Sequence, residues 1–358
     1  MDAVAYDAQL EPESLVRHFL AHPPTGFFAG TTVAGMPTFV TGFDLLTTAD
    51  DALRRRVMRW PGYARWERRL RCDARFVGCT ATEFAPLPRS IDPSALAGAL
   101  IARHRHDCPL LIVKDIAHAS PLLDVADNLR TAAFAHALQA QGCLLLDGMA
   151  LAWLPIDFDS ADDYLARLSR GRRRDLQRKL RARAALRIAV WPTGAPVFDD
   201  PDLLARCVAL YENVYAQSAI QFDHLTPDFL HALLRDPGSG GVVFAYFHGE
   251  QLIGWNLCYE FAGKLIDKYI GFAYPQARDH NLYFVSWMEN LEYARRRGLS
   301  HYIAGWTDTA VKRQLGARFC FTRHAVYVRN PLLRALLRRF AHRFQAEPAR
   351  RSAPGATA

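Results

Sequence analysis

Three apolar runs in immediate succession, GVVFAYFHGE, QLIGWNLCYEF and KLIDKYIGF, are separated only by tight turns at Gly249 and Gly263. Each run has the length and the β-branched and aromatic content of a strand, and turns this short force neighbouring strands to run antiparallel. A loop, AYPQARDH, then leads to a helix from about Asn281 to Arg297, whose apolar face carries Leu282, Val285, Met288 and Leu291 and which Gly298 ends. The strand HYIAGW, the short helix TAVKRQLG and the strand RFCFTRHAVYV complete the order strand–strand–strand–helix–strand–helix–strand. Two helices precede it. Asp200-Pro201 opens one, lined inside by Leu204, Val208, Tyr211 and Tyr215; Thr226-Pro227 opens the other, with Phe229, Leu230, Leu233 and Leu234.

The first half also alternates strands and helices. FFAGTTVAGMPTFVTGF gives two strands around a turn at Gly35, and RSIDPSALAGALIARH gives a helix with Asp92 as N-cap and Pro93 first inside it. CPLLIVKDI reads as a buried strand ending near Lys114 and Asp115, followed by a helix from about Asp124 to Gln141 that Gly142 stops, and by the strand-like CLLLDGMALAWLPI. With 358 residues, half of them hydrophobic, the chain can build two ordinary domains with a large core. The N-terminal segment has no apolar run of signal-peptide type, and no window reaches the roughly 18 apolar residues of a membrane span. Seven scattered cysteines with no C-x-x-C pair indicate a reducing compartment and no zinc site. His104 and His106, in RHRHD, read as solvated, and no metal site is expected.

Positive charge is densest in one short stretch. From Ser169 to Ile188 nine Arg or Lys residues face one acid, Asp175, and the difference of eight equals the net charge of the whole chain. Leu176, Leu180, Ala184 and Ile188 recur every fourth residue, which predicts a helix with a narrow apolar stripe and basic remaining faces. Such a run is either a solvated face or an anion site; like charges in one helix repel, so an anion relieves them. Ser160, with an acid three residues on, opens the short helix before it in a capping-box arrangement. The chain's end, NPLLRALLRRFAHRF, gives a second basic amphipathic helix with Leu332, Leu336, Phe340 and Phe344 on one face and Arg334, Arg338 and Arg343 on others. It either packs on the preceding module or lies on anionic lipid.

The element order after Asp200 resembles the GNAT N-acyltransferase superfamily. LSRGRRRDLQRKLR, followed by this second half, is similar to the Fem-like, two-module acyltransferases associated with cell-envelope polysaccharide and peptidoglycan biosynthesis. So is the ending AGWTDTAVKRQLGA, with Asp308, Lys312 and Gly316 where that branch has an acid, a Lys and a Gly. The resemblance covers Leu165 to Val328 well and the first part loosely. It implies an α/β (α+β) fold of two GNAT-like modules, each a mixed, mostly antiparallel twisted sheet flanked by helices. A degenerate module would occupy 1–160, a basic bridging helix 161–190, a catalytic module 191–346 and a disordered tail 347–358. It further implies an N-acyltransferase with acyl-CoA as co-substrate and no bound cofactor, or with aminoacyl-tRNA as donor; a non-catalytic binding protein on the same fold is the other class of reading. The acceptor would be an amine on a small molecule, amino-sugar, peptide or peptidoglycan precursor. The expected location is cytoplasmic, with tRNA and the anionic inner face of the membrane as further partners and DNA not among them.

One departure stands out. GNAT enzymes hold the pyrophosphate of coenzyme A with Q/R-x-x-G-x-G/A, whereas QARDHN here keeps Gln276 but places Asp279 and Asn281 at the small-residue positions. An acid beside a pyrophosphate repels it. Either the donor's phosphates are held differently, by Gln276 and Arg278 and by Arg172, Arg173, Arg174 and Arg178 of the basic helix, or the donor is not coenzyme A. For chemistry, Lys312 serves as electrophile or phosphate anchor with Asp308 orienting it, or the two form a surface i, i+4 pair. Asp267 and Lys268 point to opposite faces of their strand, one into the cleft, or form a cross-strand ion pair. His224 is a general-base candidate and Asp223 an acceptor contact, or both are capping and solvated residues. Tyr283, with Tyr211 and Tyr215, offers a leaving-group proton or plain packing. Trp306 stacks on a substrate ring or fills core, and Trp255 and Asn256 line the cleft if that Asn finds partners. Glu260 is a second candidate base.

Overall fold

The structure, a computed structural model, describes residues 4–32, 34–44, 55, 58–60, 71–218 and 221–340. In the first half, β1 (Tyr6–Asp7), α1 (Ser14–Ala21), β2 (Phe28–Thr31), β3 (Pro37–Asp44), β4 (Arg71–Val77) and β5 (Leu87–Pro88) come first. They are followed by α2 (Pro93–His104), β6 (Leu110–His118), α3 (Val125–Ala140) and β7 (Leu144–Pro155). The second half opens with α4 (Ala161–Ala166), α5 (Arg170–Leu180), β8 (Arg187–Pro192), α6 (Pro201–Gln217) and α7 (Pro227–Leu234). It continues with β9 (Gly241–His248), β10 (Gln251–Phe261), β11 (Lys264–Phe272), α8 (Gln276–Asp279) and α9 (Leu282–Arg296). It closes with β12 (His301–Gly305), α10 (Thr309–Gln314), β13 (Arg318–Val328) and α11 (Pro331–Phe340). Side-chain caps mark the helix starts: Asp92 accepts from the Ser94 and Ala95 amides, Ser160 from Asp163, Asp200 from Asp202 and Thr226 from Phe229.

Eleven strands form one sheet in the order β2-β3-β4-β6-β13-β7-β12-β11-β10-β9-β8, and β1 pairs with β5 apart from it. Each half contributes an antiparallel set that ends in a short parallel pair, β4 with β6 and β11 with β12. The halves then trade strands. β7 of the first half lies between β12 and β13, and β13 of the second lies between β6 and β7. The mixed, mostly antiparallel sheet flanked by helices is the expected fold class, with the two sheets fused edge to edge.

Hydrophobic burial follows the sheet's two faces. Leu204 and Tyr211 of α6 and Phe229, Leu230 and Leu233 of α7 cover one face, joined by Phe19, Phe39 and Phe76 of the first half. Phe222, in the α6–α7 loop, meets the rings of Phe27, Phe39, Phe43 and Phe76, so an aromatic cluster ties the halves together. Leu282, Val285 and Leu291 of α9 cover the opposite face. No helix among the described residues is long and apolar enough to cross a membrane. Six of the seven cysteines are buried and all are free thiols.

The basic segment departs from expectation. Its α-helix ends at Leu180, a 3₁₀ turn covers Arg181–Ala185, and Ile188 lies on β8, paired with Tyr246. The four-residue spacing held only for Leu176 and Leu180; Ala184 is exposed, and the run RIAVWP follows strand preference instead. Phe344, Arg343 and the 347–358 tail lie outside the described residues.

Candidate active site

β11 and β12 pair in parallel only over Lys264↔His301, Leu265↔Tyr302 and Ile266↔Ile303, and then diverge into a wedge. Two local features separate them. On β11, Asp267 faces Cys258 and Tyr269 faces Leu257, which leaves Lys268 as a bulge without a partner on β10. On β12, Gly305 adopts φ +77°, a conformation that glycine enters without strain, where the strand's register with β7 shifts. Beyond Ile266 the β12-facing edge of β11 has no strand partner among the described residues. The side chain of Lys268 is only 5% exposed although the residue is half-buried, so its open surface is backbone.

On the α9 side of the wedge, Asp267 is held by three N–H and O–H donors, with the Cys258 thiol as a fourth at 3.6 Å. Its carboxylate accepts from Asn256 Nδ2 at 3.2 Å, Asn290 Nδ2 at 3.1 Å and the Tyr302 hydroxyl at 2.9 Å. Burial nevertheless wins over these donors and raises its pKa. Lys312 is 5% exposed and donates to the Ala304 carbonyl; burial lowers its pKa, and nearby Asp267 and Asp308 oppose that shift. Asp308 is exposed, at φ +54°, at the start of α10. The Tyr283 hydroxyl is buried with no hydrogen-bond partner among the described residues; burial, then Asp308 and Asp267, push its pKa up and keep the proton on it. Asp267, Lys312 and Tyr283 are thus brought together, with Asp308 close by.

The opposite side of the wedge is built partly by the first half. Lys268 Nζ lies 3.1 Å from Glu11 and 2.6 Å from Glu83, and the Glu83 amide donates to Glu11 at 2.9 Å. Burial alone would push Lys268 down, but the two carboxylates outweigh it and hold the ammonium protonated. Glu11 is raised to about 7 by burial, with Lys268 opposing and Glu83 adding to the shift. Asp223 is half-buried; burial raises its pKa against the pull of Lys114, a hydrogen bond from Thr80 and Lys268. The Tyr269 hydroxyl, near Asp223 and Glu83, is buried and unpartnered. In the first half's own wedge, by contrast, Lys114 crosses the gap to the Cys79 carbonyl at 2.8 Å and pairs with Asp115.

The other expected residues lie elsewhere or serve the frame. Trp255 is fully buried and donates to the Cys207 carbonyl. Asn256 is buried too and does not face the cleft, but it positions Asp267 while accepting from Tyr246 at 2.8 Å. Trp306 packs, partly buried, against the hydrophobic cluster that contains Ile266 and Ile303. His224 stacks on Tyr215 and pairs with Glu212 at 2.9 Å. The Tyr211 hydroxyl accepts the Leu225 amide, and Glu260 is engaged by Tyr293 and Arg297. Glu11, Glu83, Tyr269, Asn290 and Tyr302 carried no motif; a lone Glu in the apolar TATEFAPL was the one available signal.

Five consecutive amides of the donor loop are already engaged. Those of Ala277, Arg278, Asp279, His280 and Asn281 all donate to carbonyls between Ala273 and Arg278. The Gln276 Oε1 is buried without a partner, and Arg278 is exposed, bonded to Gln217 and stacked on Tyr274. α5 rests on the second half through Leu176 and Leu180, with Lys179 over the Phe284 ring and Arg183 paired with Glu289. Arg172 and Arg174 are exposed and Arg173 is half-buried, and none of the three has an ion-pair partner among the described residues; Arg178 pairs with Asp175. No group of His, Cys, Asp and Glu among the described residues has metal-binding geometry.

Residues 169–313 match the family described as acetyltransferase (GNAT) domain. No curated protein matches the sequence. Among solved structures, the fold is similar to the C-terminal DUF2156 domain of a candidate lysylphosphatidylglycerol synthetase from Agrobacterium fabrum. The TM-score is 0.54 at 12% identity, over 92% of this chain and 90% of that one. L-PGS from Bacillus licheniformis gives 0.52 at 10% identity, over 92% and 97%, and FemX gives 0.51 at 12%, over 91% and 98%. At these identities the likeness is one of fold. Residues 169–313 thus match the acetyltransferase (GNAT) domain, and the chain as a whole shares its fold with L-PGS and FemX.

Proposed function

We propose that this protein forms an amide by moving an acyl group from a phosphate-bearing carrier to an amine, and that the bond is made in the wedge between β11 and β12. The observation that carries this reading is the convergence there of a free strand edge with Asp267, Lys312 and Tyr283 on one side and Asp223 on the other. The acceptor's ammonium must lose a proton before attack, and Asp223, a carboxylate made more basic by burial, receives it. Backbone amides along the free edge of β11 polarise the acyl carbonyl as its oxygen gains charge. The new C–N bond forms as the carrier's C–S or C–O bond breaks, and Tyr283 hands its proton to the departing atom. Lys312, charged and held near Asp267, offsets the negative charge that passes through the site.

Acyl-CoA is the first carrier to test and aminoacyl-tRNA the second, with an amino-sugar, peptide or peptidoglycan-precursor amine as acceptor. The second carrier is favoured by a specific observation: the loop amides from Ala277 to Asn281 already donate within the loop, while Arg172, Arg173 and Arg174 have no ion-pair partner among the described residues. FemX and L-PGS share the fold, and the aminoacyl reading is in keeping with them. Native mass spectrometry of protein taken directly from cells, with binding titrations of acetyl-CoA and of charged tRNA, separates the two. A thiol released in an amine-dependent way identifies acyl-CoA; RNA affinity that falls steeply between 50 and 200 mM salt identifies tRNA. Absence of binding by both carriers would overturn the proposal.

A further inference from the structure

The segment from 309 to 346 contains nine Arg or Lys residues and no Asp or Glu, and it includes α11. That helix is fixed in place at its base. Arg334 donates to the Val328 carbonyl at 3.1 Å and lies over the Tyr327 ring, and Leu337 packs against the core. Its outer face is bare: Leu332 is 81% exposed, Leu336, one turn on, is 53% exposed, and Leu333 is 43% exposed. Leucines so open on an already docked helix are not explained by packing within the described residues. Arg339 is exposed on the same helix.

We propose that α11 seats the protein on an anionic lipid surface, with Leu332 and Leu336 entering the headgroup boundary and the exposed Arg339 facing lipid phosphates. Charge selects this occupant over two others. A second copy docked face to face would bring two acid-free, arginine-rich segments together, which repel. The chain's own residues 341–358 contain three arginines and one glutamate, so they offer no compensating charge. An anionic bilayer supplies both an apolar layer for the leucines and negative charge for the arginines.

The test uses the full chain and sedimentation with vesicles of phosphatidylcholine alone or mixed equally with phosphatidylglycerol. Binding is expected only to the mixed vesicles, weakening as salt rises and by roughly fivefold in Arg339→Ala. The double variant Leu332→Asp/Leu336→Asp should lose binding while melting at the same temperature as the parent, because both positions are exposed. Arg172→Ala/Arg174→Ala, on α5, should bind as the parent does. Equal binding to neutral vesicles, no binding at all, or loss through the α5 variant instead of the α11 variant would each overturn the proposal. A parent that is dimeric in light scattering and becomes monomeric in the double variant, without vesicle binding, would assign the face to a second copy instead.

Discussion

Replacing Lys268 with Met removes the ammonium that pairs with two carboxylates whose side chains are 0% and 3% exposed. Deleting one member of a buried ion pair costs about 3–5 kcal/mol, because the remaining charge has neither water nor a partner. Here two carboxylates remain, so at pH 8 the loss should reach that range. Protonation of Glu11 relieves part of it at lower pH. In the parent, the Glu11 carboxyl moves from 4.5 to about 7 on folding. An acid raised in this way favours the folded state below its unfolded pKa, and that stability is lost as pH climbs through 7. From pH 5 to pH 8 the loss is about 2–3 kcal/mol, from roughly 1.4 kcal/mol per pKa unit. Urea unfolding followed by tryptophan fluorescence at both pH values reads these quantities. Lys268→Met should fall by about 3–5 kcal/mol at pH 8, and Glu11→Gln should lack the parent's decline between the two pH values. If Lys268→Met costs under about 1 kcal/mol, or if Glu11→Gln follows the parent's pH dependence, the account of this triad is wrong.

Tyr283→Phe should leave stability unchanged, since the hydroxyl has no partner, and lower kcat by roughly 10²-fold with little effect on KM; steady-state kinetics with the identified carrier checks it. Gly271→Ala should destabilise by about 1–3 kcal/mol in chemical denaturation. Its added Cβ would sit 2.4 Å from Trp255 Nε1 and 2.9 Å from the Leu210 backbone, and neither can retreat. If the carrier is tRNA, the triple change Arg172→Ala/Arg173→Ala/Arg174→Ala should reduce the slope of log affinity against log salt by roughly 2–3. An unchanged slope would remove α5 from the carrier site.

The second half was legible because its elements announce themselves locally. Asp200-Pro201, Thr226-Pro227 and Gly298 punctuate helices that form where expected, and β9 to β11 follow from three apolar runs with turns between them. β8 was missed because RIAVWP continued a four-residue spacing that a helix shares with a strand over so short a stretch. Asp267 and Lys268 were visible as charges in apolar company, and Lys312 through the resemblance of AGWTDTAVKRQLGA. Their partners were not: Glu11 and Glu83 are 257 and 185 residues from Lys268, and nothing local marks such a contact. Asn256 and Trp255 show the opposite failure, since polarity in a strand signalled a buried frame around the site instead of its lining.

The exchange of β7 and β13 governs how the polypeptide must assemble. The first half's sheet lacks its neighbour for β6 until β13, which begins at Arg318, has been synthesised. A nascent chain emerging from the ribosome therefore carries an open strand edge for nearly its whole length, and closing it requires contacts across some two hundred residues. Such topologies fold slowly and are prone to pair with the wrong neighbour meanwhile. Separately expressed halves should be sticky and poorly ordered, and mixing them should restore a compact particle that neither yields alone.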